Sequence, residues 1–187
     1  MKIFSTKRLC RAGVIAALYV ALTFVVFPIA SGAIQFRISE ALTILPIFFP
    51  EAIPALFVGC LISNVATGCT IADIFLGSLI TLVSAILTYF TGKVIKNEIL
   101  KVLVGGFFPI VLNAFFLPLI WLIYTELEYM YIVQVGFLLA GQALAIYALG
   151  FPLYFAMKKM ISSFPTLFNN EPIKKKKSQE KESSETK

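Results

Sequence analysis

Apolar residues in this chain fall in long runs, not in the strict alternation of a half-buried strand or the one-faced stripe of a soluble helix. Four runs, at about 12–27, 72–92, 102–124 and 131–157, are close to or above the ~17–20 residues that a membrane-spanning helix needs. Pro28 closes the first, Lys93 follows the second, and Lys158 and Lys159 cap the last. The stretch 38–66 is harder to read. It begins beside Glu40 and carries Pro46, Pro50 and Pro54 at four-residue steps. Proline inside a helix removes a backbone hydrogen bond and crowds the preceding turn, whereas at the first helical position its missing N–H is no loss. A helix starting at Pro50 would also place the Glu51 carboxylate at its positive end. The stretch therefore reads as two short helices, about 38–49 and 51–66, with Pro46 kinking the first and Pro54 about one turn into the second. One kinked helix is the alternative.

The positions of the charges favour the pair. With one helix over 38–66 the total is five, and the basic N-terminal residues (Lys2, Lys7, Arg8, Arg11) lie on the opposite side from Lys93, Lys96, Lys101 and Lys174–Lys177. That breaks the rule that short cytoplasmic segments carry the excess of Lys and Arg. With two helices the total is six. Both termini and the 93–101 loop then face the cytoplasm, and the outside receives 29–37, 67–71 and 125–130, where Arg37 is basic. The expected fold is an all-α membrane protein: a six-helix domain over 1–165 with helices 2 and 3 short, then a polar, disordered, lysine-rich cytoplasmic tail over 166–187.

Composition fits this picture. Hydrophobic residues make up 59% of the chain, against ~45–50% in soluble domains, and mean hydropathy is +0.89. The net charge of +6 is read as topology and attraction to anionic lipid, not as nucleic-acid binding. The basic start followed by an apolar run is read as a retained first helix and not as a cleaved signal. Cys10, Cys60 and Cys69 lie in or near apolar runs and are expected to be small buried hydrophobes without disulfides. The chain has no histidine, and no metal-ligand set or cofactor motif is apparent. It also lacks a GxxxxGK[ST] loop, so it carries no P-loop ATPase of its own.

Polar side chains are few in so apolar a chain, and each needs a cavity or a partner. Arg37, Glu40, Asn64, Asp73, Glu126 and Gln134 fall toward the outer side of the six-helix arrangement, with Asn113 and Gln142 deeper. Together they suit an outward-facing binding pocket. Most have a plainer alternative. Asp73 could cap a helix, Arg37 could reach to headgroups, Glu126 could be loop surface, and Asn64 and Gln142 could tie helices together at ~0.6 kcal/mol each. Glu40 is the hardest to explain away, because it opens a short helix that must pack against others. In the first helix, Ala12 and Ala16, then Gly13, Ala17 and Ala21, set small residues at four-residue steps. Such a face permits close helix packing, either within this chain or against a partner.

Residues 19–64, "YVALTFVVFPIASGAIQFRISEALTILPIFFPEAIPALFVGCLISN", together with 73–93, "DIFLGSLITLVSAILTYFTGK", closely resemble the QueT family. The likeness extends to about residue 160. These are substrate-binding S components of energy-coupling factor (ECF) transporters in bacterial plasma membranes. The resemblance implies six helices and a pocket near the outer surface for a queuosine precursor, a 7-deazaguanine such as preQ1 or preQ0. It implies docking through AxxxA faces onto a transmembrane coupling protein that carries two ABC ATPase subunits. Ala12 and Ala16 match that motif, and Ala17 and Ala21 repeat it one position on.

The residue chemistry is compatible with such a ligand. A carboxylate can accept both N1–H and the exocyclic amine of the guanine edge, and Glu40 is the candidate for that role. Asn64, Asn113, Gln134 and Gln142 are candidates for the other polar atoms. Trp121 or a Phe or Tyr could stack on the ring, and Asp73 or Glu126 could meet the ammonium of preQ1. Other readings are an S component for a different nutrient or vitamin, a membrane-embedded enzyme, and a scaffolding protein.

Overall fold

The computed structural model describes residues 6–26, 37–124, 129–164 and 168. All the regular structure among them is helical. Helix α1 is Thr6–Val25, α2 is Ile38–Ile47, α3 is Ala52–Ala66, α4 is Asp73–Val94, α5 is Glu98–Tyr124 and α6 is Tyr131–Ser163. Helices α1, α4, α5 and α6 are long and apolar enough to cross a membrane, and α2 and α3 are shorter apolar helices. The chain breaks within 38–66 as expected, between Ile47 and Ala52, but Pro50 lies outside both helices instead of at the first position of the second. The long helices extend beyond the predicted runs at their basic ends: α1 begins at Thr6, α5 at Glu98, and α6 continues to Ser163. Charged residues bound the apolar runs in the sequence, but a helix end can carry them at the water interface.

Successive helices run in opposite directions. At one end Arg11 at the start of α1 meets Glu51 at the start of α3 at 2.6 Å. Lys158 of α6 meets Glu98 of α5 at 3.2 Å, Ile47 of α2 abuts Gly92 of α4, and Phe48 packs on Tyr154. At the other end Thr23 of α1 lies 2.9 Å from Ser39 of α2. There, too, Asn64 of α3 donates to the Asp73 carbonyl of α4 at 3.2 Å, and Trp121 of α5 reaches the Asp73 carboxylate. Lys93, Lys96, Lys101, Lys158 and Lys159 therefore share the first end with Arg8 and Arg11. Expectations for Glu126, the 29–36 segment and the tail from 169 fall outside the described residues.

Helix α2 occupies the middle. It is a 3-10 helix of ten residues, unusually long for that geometry. At ~2.0 Å per residue it reaches further than an α-helix of equal length. Every residue from Ser39 to Pro46 is buried, and α2 touches all five other helices. Pro46 lies in the last turn of α2, where its missing N–H removes one i→i−3 bond. Pro54 sits in the first turn of α3, where backbone N–H groups have no intrahelical acceptor. Glu51 is the N-terminal flanking residue of α3 but makes no capping bond. It stands at the positive end of α3, as read from sequence, and its carboxylate also pairs with Arg11.

The bundle is inverted relative to a soluble one. In α4, Ser78, Thr81, Ser84, Thr88 and Thr91 point inward while Leu79, Val83 and Phe90 are exposed. Four of the buried hydroxyls bond the carbonyl four residues back, which satisfies them without water. Thr88 instead crosses to the Gly105 carbonyl of α5 at 2.8 Å. Close approach does the rest: a Cβ on Gly59 of α3 would lie 2.9 Å from Tyr19 Cβ and 3.2 Å from the Ala16 carbonyl of α1. Gly68, with φ +72°, lets the chain turn from α3 into α4 in a conformation other residues resist. The three cysteines are free, and only Cys60 is fully buried. Cys10 is exposed, because its side of α1 faces outward rather than into the bundle.

Candidate functional site

The carboxylate of Glu40 is 2% exposed, at the third residue of α2 and in the heart of the bundle. Its Oε1 accepts from the Tyr19 hydroxyl of α1 at 2.7 Å, and its Oε2 from Asn113 Nδ2 of α5 at 3.3 Å. Two neutral donors leave about two of the four lone-pair positions of a carboxylate open. Thr23 secures the Tyr19 turn by donating to the Tyr19 carbonyl at 2.8 Å.

Beside Glu40 is a hollow of about 80 Å³ lined by residues of α2, α3, α4, α5 and α6, among them Arg37, Asn64, Asp73, Asn113, Trp121 and Gln142. Arg37 flanks the start of α2 in an extended conformation and donates to Asn64 Oδ1 at 3.4 Å. Asp73 accepts from Thr70 at 2.9 Å and from Trp121 Nε1 at 2.8 Å. Thr70 also accepts from the Asp73 N–H, so Thr70, not Asp73, caps the start of α4. Both π-helical turns among the described residues adjoin this place. Asp73–Gly77 opens α4 with both its end residues in the lining, and Leu144–Leu149 begins two residues after Gln142. Such turns widen a helix by one residue and are frequent at functional sites.

The hollow opens toward the α3–α4 turn. Arg37, Cys69, Asp73 and Trp121 are partly exposed there, while Glu40, Cys60, Asn64, Thr81, Asn113 and Gln142 lie buried beneath. The lining thus brings the sequence candidates into one place, with Asn113 and Gln142 at the depth of Glu40. Gln134 is also buried but does not line the hollow, because it lies two turns nearer the start of α6. Sequence reasoning missed Tyr19, Cys60 and Thr81. Tyr19 stands four residues before Thr23 on one face of α1, a polar pair inside an apolar run that could have been noticed.

Two larger hollows lie elsewhere. One, of about 410 Å³ between α4 and α5, is lined almost entirely by apolar side chains such as Leu79, Val83, Phe116 and Ile123. The other, of about 430 Å³, runs between the first turns of α1 and α3 and is lined by Arg8, Ala12, Gly13, Ala16, Glu51 and Ala55 among others. Ala12 and Ala16 thus form one wall of a groove while also packing on the core. Ala17 and Ala21 point outward, exposed, away from it.

The QueT transporter family model matches residues 9–159, a span that includes every residue of the Glu40 hollow. The chain belongs to the QueT transporter family. It is 40% identical over 85 residues to the Queuosine precursor transporter QueT of Lactococcus lactis subsp. cremoris (strain MG1363), an alignment covering 44% of this chain and 50% of that protein. The chain thus spans half the length of this curated relative. No solved structure matches the chain.

Proposed function

We propose that this chain is the substrate-binding S component of an ECF-type transporter and captures a queuosine precursor, a 7-deazaguanine such as preQ1 or preQ0, from outside the cell. The observation that carries this reading is the buried carboxylate of Glu40 beside a polar hollow, within a chain of the QueT transporter family. Tyr19 and Asn113 hold the two oxygens apart and oriented. The open lone pairs accept N1–H and the exocyclic amine together, a charge-assisted pair that gives both affinity and registry. Asn64 and Arg37 supply donors for O6. Trp121, anchored through its Nε1 to Asp73, offers a ring for stacking. Asp73, already at the rim, suits the ammonium of preQ1.

At about 80 Å³ the hollow is smaller than the ~300–1,000 Å³ usual for ligand sites. Arg37 and Trp121 therefore move aside as the base enters and close over it afterwards. In this reading the polar rim faces the outside of a bacterial plasma membrane. The lysine-bearing end and both termini face the cytoplasm, and six helices cross.

Energy comes from partners, an ECF coupling protein with two ABC ATPase subunits. They dock where Ala12 and Ala16 border the groove between α1 and α3, since small residues allow another helix close approach. Mass spectrometry of small molecules that co-purify with the chain tests the substrate directly. A deazaguanine is the expected species, and a vitamin in its place would redirect the reading to another nutrient.

A further inference from the structure

We propose that Gln142 is a specificity-determining residue of this site. Its amide pairs with the N3/N9–H edge of the bound base, so that the free base is admitted and its N9-substituted nucleoside is refused. This rests on the deazaguanine reading above.

The argument begins with an unmet bond. Gln142 is 2% exposed and lines the Glu40 hollow, and its Oε1 has no hydrogen-bond partner. Its neighbours in the lining are engaged: Glu40 with Tyr19 and Asn113, Asn64 with Arg37 and Asp73, and Asp73 with Thr70 and Trp121. A buried amide oxygen without a donor is costly, and such groups are rare in folded proteins. Its persistence in a ligand-sized polar space is explained if a ligand brings the donor. The π-turn at Leu144–Leu149 begins two residues beyond Gln142.

The amide also identifies the edge. It offers an acceptor and a donor side by side. Once Glu40 has taken N1–H and the exocyclic amine, a 7-deazaguanine has two polar places left. One is O6, an acceptor alone, which suits Arg37 or an asparagine NH₂. The other is N3 beside N9–H, an acceptor next to a donor, which is the complement of a carboxamide. In a nucleoside N9 bears a sugar carbon instead of hydrogen. The donor is then gone, and the buried Gln142 Oε1 is left without a partner.

The test is titration calorimetry of the purified full chain and of Gln142→Met with 7-deazaguanine and 9-methyl-7-deazaguanine, alongside melting curves without ligand. The expected result is that the wild type prefers the unmethylated base by tenfold or more, whereas Gln142→Met binds the two alike. The empty variant should melt no lower than the wild type, since it has lost an unsatisfied polar group. A variant that keeps the full preference overturns the proposal. So does one that melts lower and loses both ligands equally, or fails to fold, because an amide held for a ligand is dispensable to the empty protein. If the wild type binds neither base, the deazaguanine reading itself falls, and this inference with it.

Discussion

At the scale of single residues, the site depends on how Glu40 is held. Glu40→Gln replaces an acceptor-only group with one that must present a donor to the ligand, so one of the two bonds is mismatched and the other loses its charge assistance. Calorimetry should show affinity for a deazaguanine falling by on the order of 100-fold, and an unchanged titration would remove Glu40 from the binding site. Tyr19→Phe keeps the ring packed on Gly59 but deprives Oε1 of its donor. The expected loss of affinity is on the order of tenfold, with a lower melting temperature because a buried carboxylate oxygen loses its donor. The candidates on α2 to α6 were legible because polar side chains stand out in so apolar a chain: Arg37, Glu40, Asn64, Asp73, Asn113 and Gln142 each required a reason. Tyr19, Thr81 and Cys60 were not legible, since amphipathic or small side chains blend into an apolar run. Gln134 shows the converse, a conspicuous residue whose position along α6 keeps it away from the hollow.

Among the elements, α1 and α3 carry the closest contact. Gly59→Leu would drive a side chain into Tyr19 and the Ala16 carbonyl, costing roughly 1–3 kcal/mol by overpacking. Because Tyr19 also orients Glu40, the variant should lose ligand affinity as well as thermal stability. A melting scan paired with titration checks this, and stability lost with binding intact would separate the α1–α3 contact from the site. The division of 38–66 into two elements was legible from Pro50 and from charge parity. The 3-10 geometry of α2 was not, because it arises from enclosure by five neighbours and no local preference encodes it. Likewise, the place of Glu51 at the positive end of α3 was legible from sequence, but its ion pair with Arg11, forty residues away, was not.

For the whole molecule, the proposed binding site and the proposed docking groove lie toward opposite ends of α1. Bulky substitutions such as Ala12→Trp and Ala16→Trp fill the groove without reaching Glu40. They should leave calorimetric affinity within about twofold and abolish both uptake and co-purification with the coupling protein. Co-purification that survives would place docking elsewhere, with the outward-pointing Ala17 and Ala21 the next candidates. The enclosure of α2 has its own consequence for how this protein can vary. A helix with a lipid-facing side accepts replacements every third or fourth position, since hydrocarbon accommodates any apolar shape. From Ser39 to Pro46 no such side exists, so a saturation library scored by uptake should show an unbroken trough across those eight positions, without the periodic relief seen along α1 or α4.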